Sequence, residues 1–282
     1  MGSITTTDQL KAAPKIAHVS PWSSAPKNLI LRSDEVHVWR ATLDLQYSRV
    51  QSLQQTLAAD ERRRAERFYF QTDREHFIVG RGLLRAILGR YLDADPSRLR
   101  FSYSPYGKPS LAGEINAGAL CFNISHAGGL ALYAVTRGRD IGIDLERIDT
   151  DFATEQVAER FFSAQEVATL RAFPEHMQSL AFFNCWTRKE AYIKARGEGL
   201  SLPLDQFDVS LTPGEPVALL RTNGDPQEAS RWRIQELAPG ASCVSALAVK
   251  GHHWRLKCWQ WSKESHEDDD TEAASGADDL LL

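Results

Sequence analysis

Ile141-Gly142-Ile143-Asp144-Leu145-Glu146 decides how this chain is read. In an extended strand, successive side chains point to opposite faces. Ile141, Ile143 and Leu145 then share an apolar face, while Gly142, Asp144 and Glu146 share the other. Two carboxylates two residues apart repel, and each raises the other's pKa unless a cation lies between them. A hard divalent cation such as Mg²⁺ suits the pair, because it takes oxygen ligands and keeps positions open for waters and substrate phosphates. A strand with a solvated acidic face has the same pattern, and the hexapeptide alone leaves both readings open.

Upstream, Leu130 to Val135 reads as a strand that turns at Gly138 to Asp140 into the hexapeptide. Leu120-Cys121-Phe122-Asn123-Ile124-Ser125-His126 is a strand with a polar end before Gly128-Gly129. Phe101 to Pro109 contains a Pro and Gly turn with Lys108 at its tip. Leu57 to Arg90 reads as helical, with Asp60 as N-cap and Phe68, Phe77, Leu84 and Leu88 at helix-like spacing. Its arginines include Arg62, Arg63, Arg64, Arg67, Arg74, Arg81, Arg85 and Arg90, so many that some are expected to face a polyanion. Asp34 to Ala41 alternates as a first strand, and residues 1–30 read as an extended arm. Downstream, Val157 to Phe162 begins a helix, Ser163 caps another, and Ser179 to Arg196 is a long helix ended by Gly197 and Gly199. Strands follow in 200–211, 232–237, 243–249 and 254–261.

The 282 residues are 43% hydrophobic and 25% charged, an ordinary globular composition. No apolar run is long enough for a transmembrane helix. Residues 1–7 lack the basic start and apolar core of a signal peptide. The four cysteines show no CxxC pairing and read as reduced core residues of a cytoplasmic protein. Residues 263–282 hold eight Asp or Glu against one Lys and are expected to be disordered. The rest of the chain is then slightly basic, which mildly favours acidic partners. Ala65-Glu66-Arg67-Phe68 recurs as Ala158-Glu159-Arg160-Phe161, and the same order of elements follows each copy. We therefore expect an α+β pseudo-dimer of similar halves, 31–140 and 141–262, with a site at their junction.

Glu190 and Lys194 stand at i and i+4 and share a helix face. They form either a surface ion pair or, with Asp144 and Glu146, a three-carboxylate metal site beside a phosphate-binding lysine. Ser125 and His126 are adjacent on a strand and point to opposite faces, which argues against a hydrolase nucleophile–base pair.

Asn123 to His126, Gly142 to Glu146, Trp186 to Lys194 and Gly197-Glu198-Gly199-Leu200 resemble, in order, the motifs of phosphopantetheinyl transferases. Tyr106-Gly107-Lys108-Pro109 matches as well. The resemblance covers residues 34–262 and is to the large monomeric, Sfp-like class. It implies a pseudo-dimer with coenzyme A and Mg²⁺ at the cleft between halves. It implies Asp144, Glu146 and Glu190 as metal ligands, with Lys194 contacting phosphate. The attacking serine needs a base, and Glu190, directly or through a metal-bound water, is the best candidate. It implies that Arg64, Lys108, Asn123, Ser125 and His126 hold the 3′-phosphoadenosine end of coenzyme A. Where some members carry a basic residue one turn before Arg64, this chain has Glu61, and Arg62 or Arg81 offers a substitute donor. The expected partners are apo acyl or peptidyl carrier proteins, with no nucleic acid and no membrane. An Mg²⁺-dependent coenzyme A or nucleotide phosphohydrolase shares the metal site, and a non-catalytic binding module needs fewer of these residues. Modification of a carrier serine separates the transferase from the phosphohydrolase, and the intact set Asp144, Glu146, Glu190 and Lys194 argues against the binding module.

Overall fold

A computed structural model describes residues 22–113, 119–149, 154–240 and 242–262. Most of the expected arm and the whole expected acidic tail lie outside the described residues. After the two-residue strand β1 (Ser23–Ser24), the chain builds one pattern twice. The first copy is strand β2 (Glu35–Thr42), helices α1 (Tyr47–Thr56), α2 (Ala59–Ala65) and α3 (Gln71–Leu92), hairpin β3 (Phe101–Tyr103) with β4 (Pro109–Leu111), and the pair β5 (Leu120–Ala127) and β6 (Leu130–Arg137). The second is β7 (Ile141–Arg147), α4 (Thr154–Phe161), α5 (Ala164–Arg171) and α6 (Glu175–Arg196). It continues with hairpin β8 (Phe207–Val209) and β9 (Leu219–Thr222), then β10 (Trp232–Leu237) and β11 (Cys243–Lys250). The sheets have matching orders, β2-β6-β5 and β7-β11-β10.

The last strand, β12 (Arg255–Gln260), runs parallel to β2 and carries β1 on its other edge. Residues 255–260 thus belong to the first sheet, although they follow the second half in sequence. Strand alternation explains the layers. Val36 and Val38 pack with Ile141, Ile143 and Leu145 in a core between the sheets, whereas Trp39 and Ala41 face the α1 and α3 side. Helix α6 covers the outer side of the second sheet through Phe182, Tyr192 and Ala195. Each sheet is buried on both faces, which leaves a helical layer outside each.

The arginine-rich region divides over two helices, as expected. It is α2 and α3, preceded by a helix, α1, that the sequence reading missed. Asp60 does not cap α2. Instead the Glu61 carboxylate accepts the Ala58 N–H at 3.0 Å, and Arg62 donates to Gln55 O and Leu57 O at the end of α1. Arg62 is therefore tied to the scaffold and does not substitute for the residue at Glu61.

The internal repeat is real, but its register differs from the expected one. The matching tetrapeptides end α2 in one half and α4 in the other, which are not equivalent helices. The equivalent residues are Glu61 and Glu166, each in the first turn of the second helix of its half. Glu166 accepts the Ser163 N–H, and both glutamates are buried. Each binds a cation from the long third helix: Glu61 holds Arg85 at 2.6 Å, and Glu166 holds Lys189 at 2.7 Å. Among the described residues all four cysteines are free thiols, and no helix is long and apolar enough to cross a membrane.

Candidate active site

Gly142 brings the two chemical elements together. A Cβ on it would lie 2.1 Å from Ala191 O and 2.3 Å from Ala195 N, so the α6 backbone rests directly on β7. That contact sets the Asp144 and Glu146 face of β7 against the Glu190 and Lys194 face of α6. Lys194 Nζ lies 2.5 Å from Asp144 Oδ1. The Ser125 hydroxyl donates to the same oxygen at 3.0 Å and accepts from Leu145 N–H and Lys194 Nζ at 3.2 Å. Asp144 is 2% exposed, and its second oxygen, Oδ2, is buried without a hydrogen-bond partner.

Charge crowding is visible in the neighbouring acids. Burial, then Asp144, pushes the Glu146 carboxyl up to about 7, although Lys194 and the Trp186 indole oppose the rise. Burial and Asp144 also push Glu190 up. Among the described residues, no three His, Cys, Asp or Glu side chains are gathered as a metal cluster. The ammonium of Lys194 holds Asp144 Oδ1 instead. The donor set nonetheless suits a hard cation, because Asp144 carries an orphaned buried oxygen and its charge destabilises two neighbouring carboxylates.

These residues line a cleft of about 550 Å³ between the halves. Its walls contain eight of the ten predicted site residues: Arg64, Arg81, Ser125, His126, Asp144, Glu146, Glu190 and Lys194. His126 lies at the exposed end of β5, and desolvation by the cleft walls, with Lys194 and His76 nearby, lowers its pKa. The first half lines the cleft with Arg64, Arg81 and His126, and the second with Asp144, Glu146, Glu190 and Lys194.

The second half of the chain, residues 140–253, matches the family model described as 4′-phosphopantetheinyl transferase superfamily, and residues 39–137 match that of 4′-phosphopantetheinyl transferase, N-terminal. The 4′-phosphopantetheinyl transferase HetI of Nostoc sp. is 44% identical over 240 residues, covering 85% of this chain and 98% of that protein. The chain belongs to the 4′-phosphopantetheinyl transferase superfamily. The transferase Sfp of Bacillus subtilis is 37% identical over 58% of this chain and 70% of its own length, in keeping with the Sfp-like type. A crystal structure of Thermotoga maritima holo-[acyl-carrier-protein] synthase aligns over 41% of this chain and 64% of its own, with 20% identity and a TM-score of 0.32.

In this transferase two predicted residues stand outside the cleft wall. Lys108 Nζ donates to Ala195 O at 2.8 Å and Ile141 O at 3.1 Å. It ties the β3–β4 hairpin of one half to the C-terminal end of α6 and the start of β7 in the other. A cation beside the last carbonyls of a helix is favoured by the helix dipole. The Asn123 side chain accepts the Ile143 N–H at 2.9 Å. With Ser125 accepting from Leu145, side chains of β5 satisfy the β7 edge where the two sheets meet. Buried backbone donors need such partners.

Arg81 reaches the cleft wall but is already engaged. It binds Glu61 at 2.7 Å, donates to Tyr103 OH at 2.8 Å and lies over the Phe101 ring. Glu61 thus caps α2 and neutralises two arginines of α3, which explains a carboxylate at that position. Arg64 is exposed over the Phe77 ring. The sequence reading missed His76, Tyr103 and the Trp186 side chain as lining residues. His76, Phe77, Gly80 and Arg81 share one face of α3, a helical i, i+1, i+4, i+5 pattern that identifies the lining face.

Proposed function

We propose that this protein transfers the 4′-phosphopantetheine arm of coenzyme A to a serine hydroxyl of an apo acyl, peptidyl or polyketide carrier protein, with Mg²⁺, releasing 3′,5′-adenosine bisphosphate. The observation that carries the reading is the clustering of Asp144, Glu146, Glu190 and Lys194 in one cleft, with Asp144 Oδ2 orphaned. A coenzyme A or carrier-binding module would have no use for this set. Curated relatives named 4′-phosphopantetheinyl transferases at up to 98% coverage of their own length support it further.

Asp144, Glu146 and Glu190 would hold the cation, and Lys194 would exchange its contact with Asp144 for one with the pyrophosphate. When bound, Mg²⁺ supplies charge neutralisation to the pyrophosphate. Lys194 adds positive charge where the bisphosphate leaves, and such electrostatic positioning is the main requirement of phosphoryl transfer. Glu190 is held above its ordinary carboxylate range by burial, which suits it to accept the proton of the attacking serine. Arg64 and His126, on the wall from the first half, would take the 3′-phosphate through charge-assisted hydrogen bonds, which are strong. The carrier would present its serine to the open side of the cleft, and the reading takes the protein as a cytoplasmic monomer acting without nucleic acid or membrane.

Incubation with an apo carrier protein, coenzyme A and Mg²⁺, followed by intact-mass measurement of the carrier, tests the reading. One phosphopantetheine added to the acceptor serine is expected. Breakdown of coenzyme A with an unmodified carrier would instead point to a phosphohydrolase.

A further inference from the structure

Asp44 joins three elements beside the cleft. Its Oδ1 holds the Nε2 of His76, on α3, at 2.8 Å. Its Oδ2 takes the space of a side chain at Gly129, where a Cβ would lie only 2.5 Å away. Gly128 and Gly129, at φ +54° and +77°, form the tight turn between β5 and β6, a conformation that favours glycine. The Leu43 N–H donates to Gly129 O at 2.7 Å, which pins the β2–α1 loop to that turn. The loop, the turn and α3 thus meet on one carboxylate.

His76 is the group this junction presents to the cleft. It lines the wall with its side chain 22% exposed, against 73% for Asp44. A carboxylate on one ring nitrogen fixes the imidazole and leaves the other nitrogen to a ligand. Among the described residues, Nδ1 of His76 has no hydrogen-bond partner. Arg81, the other basic residue on the lining face of α3, is already bound by Glu61 and Tyr103. Arg64 lies over the ring of Phe77, the residue after His76. Burial, then Lys194, then His76 lower the pKa of His126, so positive charge is crowded on this side. Among the described residues, the first half lines the cleft with Arg64, His76, Arg81 and His126 and with no carboxylate. Such a wall suits an anion, and His76 is the donor on α3 that is still available to one.

We propose that His76, oriented by Asp44, is a specificity-determining residue that reads the 3′-phosphate of coenzyme A beside Arg64 and His126. This rests on the transferase reading, which brings coenzyme A into the cleft. An ordinary surface ion pair would give the same contact, and such pairs contribute little. Two features go beyond one: the turn glycine leaves room for the carboxylate, and the imidazole stands in the cleft wall. A phosphomonoester accepts several hydrogen bonds, and those from charged donors are strong. The ring would donate Nδ1–H to the phosphate while Nε2–H stays on Asp44, and it would then carry a positive charge. Asp44 is mostly in water, which screens its repulsion of the phosphate more than the attraction of a ring in contact with it.

The experiment uses the full chain. Calorimetric titration with 3′,5′-adenosine bisphosphate and with adenosine 5′-monophosphate reads the 3′-phosphate without turnover. Steady-state KM for coenzyme A and dephospho-coenzyme A is measured beside it, with an apo acyl carrier protein as acceptor. The proteins are wild type, His76→Leu, His76→Arg and Asp44→Asn. His76→Leu should weaken the bisphosphate and raise the coenzyme A KM about tenfold, the lower end for a hydrogen bond to a charged group. Monophosphate affinity, the dephospho-coenzyme A KM, the carrier KM and kcat should stay within about twofold. His76→Arg should recover most of the loss, which a residue that only braces the wall would not. Asp44→Asn keeps an acceptor for Nε2–H but loses the charge, and should weaken the bisphosphate about threefold. Each comparison is a ratio of two ligands on one protein, so a partly unfolded variant does not distort it. If His76→Leu weakens both nucleotides equally, or neither, the proposal is overturned. Tighter bisphosphate binding by Asp44→Asn would show that the carboxylate cancels the charge of the ring, and also overturns it. A wild type that modifies no carrier fails the transferase reading itself, while the two nucleotide titrations still decide the role of His76.

Discussion

Lys194 Nζ lies 2.5 Å from Asp144 Oδ1, so the lysine expected to hold a phosphate rests on the carboxylate expected to hold a metal. The half-exposed lysine compensates a carboxylate that is almost fully buried, where an uncompensated charge is costly. Asp144→Ala removes the carboxylate and frees the lysine. It should lower turnover at least ~10²-fold, the scale of losing one key electrostatic contact at a reacting centre. Near-wild-type turnover at ordinary Mg²⁺, with an unchanged melting temperature, would remove Asp144 from the chemistry.

Gly142→Ala tests how the site is assembled. The added Cβ would meet backbone atoms of α6, at 2.1 and 2.3 Å, and backbone cannot swing aside as a side chain can. Overpacking typically costs about 1–3 kcal/mol. Here the strain would also move Glu190 and Lys194 away from β7. We expect a destabilised protein, by denaturant unfolding, whose residual activity is lower than its folded fraction explains. A change in stability below ~0.5 kcal/mol would show that the helix accommodates the methyl group.

The same glycine shows what the sequence made legible. Alternation in Ile141–Glu146 revealed both faces of β7, because period two is a local property. The i, i+4 spacing likewise placed Glu190 with Lys194. What stayed hidden depends on distant partners. Nothing near Lys108 announces that its ammonium caps a helix 87 residues away. Nothing near Glu61 announces Arg81 and Arg85 above it. The repeat was also sought as matching letters, whereas the two halves share a role: a buried glutamate that holds a cation of the long helix, Arg in one half and Lys in the other.

His37 should make the protein acid-labile. It is fully buried between Tyr91 OH at 2.9 Å and Glu35 Oε2 at 3.3 Å, and burial outweighs Glu35 to depress its pKa to about 4. The unfolded chain then binds a proton between about pH 6.5 and 4 that the folded chain refuses. Stability should fall as pH drops through that window, by up to ~1.4 kcal/mol per pH unit. Glu35 extends the loss further. Burial tends to raise its pKa, but Lys257, the Arg32 N–H and His37 together lower it to about 2. Its stabilising ionised form is lost between about pH 4.5 and 2. Urea unfolding across these pH values should show the loss for wild type and a flatter profile above pH 4.5 for His37→Gln. Equal slopes would exclude His37 as the source.

Lys108 separates a brace from a ligand. The family resemblance implies contact with the 3′-phosphoadenosine end of coenzyme A, yet its ammonium donates to Ala195 O and Ile141 O and lies outside the cleft wall. Burial lowers its pKa, while Asp140 opposes the change. Removing a charged donor from two buried carbonyls costs about 1.5–3 kcal/mol. Lys108→Ala should therefore lower the melting temperature and loosen the hairpin that adjoins the cleft. Its effect on KM should be the same factor for coenzyme A and for dephospho-coenzyme A, which lacks the 3′-phosphate. Arg64→Ala should differ: Arg64 is exposed on the cleft wall, so its loss should raise KM for coenzyme A alone and leave kcat near normal, as expected for uniform binding. The deciding measurement is KM for both cofactors with wild type and the two variants. If Lys108→Ala weakens coenzyme A selectively at an unchanged melting temperature, the ammonium leaves its two carbonyls to meet the 3′-phosphate, and the brace is only its resting position.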